Sequence, residues 1–334
     1  MIMAAGLGTR LRPFTLDSPK PLLPLLGVPL LQYSLDALWG AQVGITRVVV
    51  NHSHLSEKLK AGVQTLQPRS MEIRLSDESG LLMGSAGGLR KALSLLGERD
   101  PFLLLNGDVI CGIDINELLR AHCRLREAHG VVMTLAIHRC SPGQGAYREL
   151  RFAPLPGFGP QCGRITGLGE MKQRASFFSG YAVVEPEAVQ SLPFDRPSEF
   201  VPSLLLPAIE RNRVGAYVFD EPWLDIGSPG LWLDAHFELM NRMETGRLPA
   251  LWRDRITQAS VRHGNGLWSS RSLAKTPFAA EKFLTPVYIG CSESERKEWA
   301  SVGPYAVAYS GPEEKGQSLA QGITWNRKTW RYAT

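Results

Sequence analysis

The sequence predicts an α/β fold on a mixed, mostly parallel sheet, and three observations carry that reading. Through about residue 140, short apolar runs alternate with stretches whose apolar residues recur at helical spacing, the pattern of βαβ units. The first apolar run breaks at Gly6 and Gly8, where a ligand turn belongs at the carboxyl end of a strand. The 334 residues, 44% hydrophobic and 21% charged, exceed the usual single domain and supply ample core.

The elements follow in order. Met1–Ala5 is a short strand leading into Gly6-Leu7-Gly8-Thr9-Arg10-Leu11-Arg12. Glycine lets backbone approach a ligand closely, and successive N–H groups in such a turn form a concavity for anions. Arg10, Arg12 and Lys20 add positive charge, and the prolines on either side of Lys20 restrict its backbone. The turn reads as a triphosphate cradle. It is not a P-loop, since no Lys-Ser or Lys-Thr follows at the required spacing, nor a dinucleotide fingerprint, since Leu11 stands where the third glycine is needed.

Further strands are expected at 45–50, 71–75, 102–105 and 131–137, and helices at 30–39, 55–66, 86–96 and 115–129. From 141 to 169 the chain turns to Gly, Pro and polar residues, and 147–152 with 164–168 read as a hairpin or flap on the substrate side. A strand at 181–184, a helix at 201–211, a strand at 214–219 and a helix ending near 242 complete this part. The tail holds five of the eight tryptophans.

Composition excludes several classes. No apolar run has membrane-spanning length and no signal-peptide pattern opens the chain. Five scattered cysteines without C-x-x-C spacing read as reduced thiols of a cytoplasmic protein. The net charge of +5 is dispersed, which suits small anionic substrates better than nucleic acid. His52 and His54 in N-H-S-H-L have no further ligands nearby in sequence and read as a loop feature rather than a zinc pair.

Two aspartates follow strand ends. Asp108 lies in L-L-L-N-G-D-V and Asp225 in W-L-D-I-G-S-P, each beside a glycine, and both are expected on one sheet edge. A second glycine-rich string, Gly84-Ser85-Ala86-Gly87-Gly88-Leu89, opens a helix.

Together, G-L-G-T-R-L-R-P-F-T, P-K-P-L-L-P, G-S-A-G-G-L, N-G-D and W-L-D-I-G-S-P resemble the motifs of sugar-1-phosphate nucleotidyltransferases, in the same order over residues 1–238. The resemblance implies a Rossmann-like catalytic domain at 1–238 and an accessory or oligomerisation region at 239–334, the expected seat of any homo-oligomer contact. It implies transfer of a nucleoside monophosphate from an NTP to a sugar 1-phosphate, with magnesium on Asp108 and Asp225. Arg10, Lys20 and Asp108 would be catalytic, Arg10 on the departing pyrophosphate and Lys20 between the α-phosphate and the sugar phosphate. Ala4, Ala5, Gly6, Gly8, Thr9, Arg10, Gly84, Ser85, Gly87 and Asn106 would bind the nucleotide. Ser179, Gly180 and Glu170 would face the sugar; Lys172 lies where the family has Glu-Lys-Pro, but here the string is E-M-K-Q.

GTP with mannose 1-phosphate is the first choice of substrates, because G-S-A-G-G-L resembles the guanylyltransferase string. UTP with N-acetylmuramic acid 1-phosphate is second and heptose-1-phosphate guanylyl transfer third, all in nucleotide-sugar supply for the cell envelope. A catalytically silent sensing subunit would lack Arg10, Lys20, Asp108 or Asp225, and all four are present. The resemblance also implies a few more residues ahead of the alanines, so the first strand reads as short. In the tail, 286–290 and 302–307 resemble coils of a left-handed β-helix, but the period is interrupted. Two readings stay open there: a short or degenerate β-helix, and an irregular packing or dimerisation appendage.

Overall fold

The computed structural model describes residues 1–66, 69–139, 147–172, 176–263, 266–273, 275, 287–299, 301–302, 306–315, 317–319, 322–325 and 328–331. Packing gathers residues 1–6 and 34–223 into one compact unit, and 7–33 with 224–334 into a second. The 1–238 and 239–334 division is a sequence reading; the units cut the chain differently because residues 7–33 pack with the far end of the chain.

The first unit is organised by a nine-stranded sheet. Its strands are β1 (Ile2–Met3), β2 (Arg47–His52), β3 (Glu72–Asp77), β4 (Phe102–Asn106), β5 (Met133–Arg139), β6 (Tyr147–Pro154), β7 (Cys162–Lys172), β8 (Ser176–Val184) and β9 (Val214–Phe219). Their spatial order is β3-β2-β1-β4-β8-β5-β9-β7-β6. β1 runs parallel to both neighbours, with Ile2 opposite Val50 and Leu105 and Met3 opposite Asn106. β3 continues the parallel set. β8 is antiparallel to β4 and β5, and β9 is parallel to β5.

This register brings the ends of β1, β2 and β4 to one edge of the sheet. The turns at 4–6, 51–53 and 106–108 therefore meet there. The buried apolar run of β4 explains its central place, as parallel strands are covered on both faces.

α1 (Leu30–Trp39) spans the boundary between the two stretches of chain, and α2 (Ser56–Thr65), α3 (Gly84–Leu96), α4 (Ile115–His129), α5 (Pro186–Gln190) and α6 (Leu206–Glu210) belong to the first unit. α4 shows why such helices form where the pattern places them. The Asp114 side chain accepts from the amides of Asn116 and Glu117, Gly130 ends the helix in the left-handed conformation, and Ile115, Leu118, Ala121 and Leu125 are buried. The helix expected at 201–211 is split. A π-helical turn covers Val201–Leu205 before α6 begins, where Pro202 and Pro207 each remove an amide donor. The 147–168 hairpin is present as β6 and β7, but it extends the sheet edge beside β9 rather than standing apart as a flap. Residues 141–146 of that expectation lie outside the described residues.

The second unit holds a small hairpin (Pro24–Leu25 with Val28–Pro29), α7 (Pro229–Glu244), α8 (Ala250–Ala259) and a six-stranded sheet. Its strands are β10 (Ser260–Arg262), β11 (Leu267–Ser270), β12 (Val287–Ile289), β13 (Ala306–Ala308), β14 (Gly322–Trp325) and β15 (Lys328–Arg331). β11 to β14 stack in parallel and in register, so that Trp268, Tyr288, Val307 and Ile323 form one row. The two coil-like fragments expected in the tail contribute β12 and β13; Pro286 and residues 303–305 lie outside the described residues. Val287, Ile289, Trp252, Trp268 and Trp299 are buried, as core residues should be.

Candidate functional site

In the first unit, a pocket of about 440 Å³ opens at the sheet edge where β1, β2 and β4 end. It is lined by Met3, Ala5, Gly6, Asn51, Glu78, Leu82, Gly84, Ser85, Asn106, Asp108, Pro197 and Glu199. The structure thus brings together Ala5, Gly6, Gly84, Ser85, Asn106 and Asp108 from three separate motifs. Asp108 is half-buried in the turn after β4, and that turn is tied down where the Gly107 amide donates to the Met3 carbonyl at 2.9 Å. A Cβ on Gly107 would stand 2.9 Å from the same oxygen, so only glycine fits.

Two buried polar residues that sequence reasoning left unassigned organise this pocket. Asn51 and Glu78 are each 1% exposed. The Asn51 Oδ1 accepts from the amides of Ala4 (2.6 Å) and Ala5 (3.2 Å), and its Nδ2 donates to Glu78 Oε1 at 2.8 Å. Glu78 Oε2 accepts from the Met83 amide at 3.0 Å. One chain of bonds therefore joins the first glycine turn to the start of α3. It satisfies a buried carboxylate that would be costly alone. The Ala4 and Ala5 amides face Asn51, and the Ala5 carbonyl accepts from Ser53 Oγ at 2.6 Å. The Ala5 backbone groups are spent on the fold, leaving its surface to the pocket, whereas Ala4 is absent from the pocket lining.

The second glycine string is held just as firmly. Gly84 has φ +72°, and a Cβ there would stand 2.6 Å from the Ser198 carbonyl, a conformation and a clearance that favour glycine. The Ser198 carbonyl accepts from the amides of Ala86 (2.9 Å) and Gly87 (3.1 Å). Ser85 Oγ donates to Glu199 at 2.6 Å and accepts from the Phe200 amide at 2.7 Å. Gly87 is buried where α3 meets residues 196–198 and is absent from the pocket lining. Its missing side chain serves close packing. Glu199, a pocket residue that no motif announced, occupies the end of α3.

On the expected sugar side, Gly180 has φ +88°, and its Cβ position lies 2.8 Å from Asn106 Nδ2. It makes room for Asn106. Ser179 is wholly buried; its carbonyl accepts from the Trp223 indole at 2.8 Å, so its side chain is not presented to a ligand. Glu170 is exposed on β7, and the Lys172 side chain lies outside the described residues.

The second unit carries Gly8, Thr9, Arg10, Lys20 and Asp225. Gly8 has φ +60°, and its carbonyl accepts from the Leu11 amide (2.9 Å) and Thr15 Oγ1 (2.8 Å), closing the turn. Thr9 and Arg10 are exposed on it. Lys20 opens a short 3-10 turn after Pro19 and is half-buried. Asp225 and Arg10 converge at Gly227. A Cβ there would lie 3.0 and 3.1 Å from the Asp225 carboxylate oxygens and 3.2 Å from Arg10 Nη1. Gly227 is the bare position that lets them meet.

Among the described residues no group of three or more His, Cys, Asp or Glu could hold a metal by itself, and no helix is long and apolar enough to cross a membrane. Cys111, Cys123, Cys162 and Cys291 are free thiols.

Known proteins resemble this chain. The nucleotidyl transferase family model matches residues 1–145. An N-acetylmuramate α-1-phosphate uridylyltransferase of Neisseria meningitidis serogroup B is 30% identical over 228 residues, covering 68% of this chain and 92% of that protein. Mannose-1-phosphate guanyltransferase beta-B of Xenopus laevis is 29% identical over 234 residues, 69% of this chain and 61% of that protein, so the chain spans about three fifths of it. A crystal structure of UDP-glucose pyrophosphorylase complexed with UDP-glucose shares the fold, with a TM-score of 0.57 at 19% identity over 72% of this chain and 97% of that one.

Proposed function

The chain belongs to the sugar-1-phosphate nucleotidyltransferase family, and on that premise we propose that it joins GTP to mannose 1-phosphate, releasing pyrophosphate. The observation that carries the reading is the pocket itself. Two glycine-rich elements, Asn106 and Asp108 meet at the carboxyl ends of parallel strands, where α/β sheets bind nucleotides. Its polar wall includes the exposed Glu199, an acceptor that suits the N1–H and N2–H donors of guanine.

Transfer is an in-line displacement. An oxygen of the sugar 1-phosphate attacks the α-phosphorus, the bond to the β-phosphate oxygen breaks, and pyrophosphate leaves. Two anions must approach, so placed charge matters more than an acid or base. Arg10 binds the departing pyrophosphate, and Lys20 serves the α-phosphate and the incoming sugar phosphate. Asp108 and Asp225 are the hard oxygen donors that suit magnesium, a cation commonly held by one or two carboxylates plus substrate phosphates. When bound, magnesium would neutralise phosphate oxygens and polarise the α-phosphate. The free, scattered thiols fit a cytoplasmic setting.

UTP with N-acetylmuramic acid 1-phosphate is the second reading, favoured by the uridylyltransferase relative that the chain covers nearly end to end. The test is a matrix of nucleoside triphosphates against sugar 1-phosphates, scored by pyrophosphate release. Turnover with GTP and mannose 1-phosphate alone supports the first reading; turnover with UTP and the muramic substrate replaces it. No turnover with any pair overturns transfer.

A further inference from the structure

The loop that carries Arg10 and Lys20 is packed against the C-terminal strands rather than left as a surface excursion. At one end, Lys328 of β15 binds the Asp17 carboxylate and lies 3.5 Å from the Pro13 carbonyl. At the other end, the hairpin turn at Leu26-Gly27 is inserted among buried hydroxyls. The Gly27 amide donates to Tyr309 OH at 3.1 Å, and the Leu26 carbonyl accepts from Ser260 Oγ at 2.6 Å. Gly27 has φ +79°, and a Cβ there would press on Tyr288 OH at 2.9 Å.

Proton accounting fixes the direction of each bond behind Tyr309. His236 Nδ1 lies 2.8 Å from the Trp232 carbonyl, which can only accept, so Nδ1 carries the hydrogen. Nε2 of the neutral ring then accepts from Tyr309 OH at 2.8 Å. The Tyr309 oxygen is left to accept from Gly27. Trp232 in turn donates its indole N–H to the Pro24 carbonyl at 2.8 Å. All four groups are buried or part-buried, and the relay closes on itself with every bond made in one sense only. Both ends of the relay, Gly27 and Pro24, lie on the loop backbone.

We propose that Tyr309 and Lys328 are positioning residues for the transfer reaction, holding the two ends of the loop between which Lys20 stands. The inference rests on the assignment of Arg10 and Lys20 to the phosphates. Under it, the C-terminal strands act on catalysis through loop geometry, without touching substrate. Small displacements of a charged group from the reacting atoms cost rate steeply.

The experiment uses the full chain with Tyr309→Phe, Lys328→Gln and Lys328→Arg. It measures kcat and KM with the best substrate pair, the affinity for the unphosphorylated nucleoside, and the thermal midpoint. Tyr309→Phe and Lys328→Gln are expected to lower kcat on the order of 10- to 100-fold while nucleoside affinity stays at the wild-type value, and Lys328→Arg is expected to recover most of the loss. Folded variants with wild-type kcat overturn the inference while leaving the transferase reading intact. So does a loss of activity that follows the thermal midpoint and is not recovered by arginine. If Tyr309→Phe fails to fold, the Lys328 pair decides, since that side chain is 30% exposed. A wild type that turns over no pair removes the reading, and the inference with it.

Discussion

Replacing Asn51 by alanine should damage both stability and nucleotide binding, and the size of the effect can be worked from the three bonds it breaks. The substitution leaves the amides of Ala4 and Ala5 without their acceptor and strips one of two partners from the Glu78 carboxylate. A buried group left unsatisfied costs about 1–3 kcal/mol, with bonds to charged groups at the upper end. The Ala4 amide is only part-buried and water relieves some of its loss, so the expected sum is about 3–5 kcal/mol. That is a large fraction of a typical net stability of about 5–15 kcal/mol. The same change frees the first glycine turn from α3, so KM for the triphosphate should rise. Urea unfolding followed by tryptophan fluorescence gives the first quantity, and pyrophosphate release the second. Asn51→Asp is a sharper companion. It keeps an acceptor for the amides but sets a second carboxylate against Glu78, so the loss it shows isolates the bond between residues 51 and 78. A deficit for Asn51→Ala below about 1 kcal/mol with unchanged KM would refute the claim that this buried tie builds the pocket.

Other outcomes follow from the same geometry. Asp108→Ala should abolish metal-dependent pyrophosphate release while far-UV circular dichroism stays native; undiminished turnover would remove Asp108 from the site. Gly84→Ala forces a side chain into φ +72° against the Ser198 carbonyl, a strain of roughly 1–3 kcal/mol that a lowered melting temperature and a raised KM for the triphosphate should report. Burial holds the His236 pKa down at about 3, against 6.5 ordinarily. Below about pH 6.5 the unfolded chain gains a proton that the folded chain refuses, so stability falls as pH drops from there towards 3, by at most about 1.4 kcal/mol per unit from this group. A melting temperature that declines between pH 7 and pH 4 less steeply in His236→Gln than in the wild type would bear this out; parallel curves would count against it.

The legible parts of this protein were those with local causes. The boundaries of α4 stand in the sequence because Asp114 and Gly130 cap it chemically, and β4 because an apolar run precedes Asn106. The glycine at position 84 announces a backbone that other residues resist. Asn51 and Glu78 gave no such signal. They are 27 residues apart, look like ordinary polar loop residues, and gain meaning only when parallel pairing of β2 with β3 brings their strand ends together. Ser179 shows the same limit: its backbone carbonyl accepts from the Trp223 indole, 44 residues away. The hydroxyl in a sugar-like string was visible, but the indole covering its backbone was not. The grouping of residues 7–33 with the tail likewise rests on contacts such as Gly27 with Tyr309, which no local pattern encodes.

That grouping has a consequence for how the chain is made. Residues 7–33 leave the ribosome well before the partners that pack them, which begin at Leu224. About 190 residues separate the two, a wait of roughly 10–40 s at ordinary rates of synthesis. During that interval the segment with Arg10 and Lys20 has no finished unit to join, whereas the strands of the large sheet are already emerging in order. A segment made before the large sheet therefore matures after it, and a chain cut short before Leu224 carries residues 7–33 without the partners that pack them.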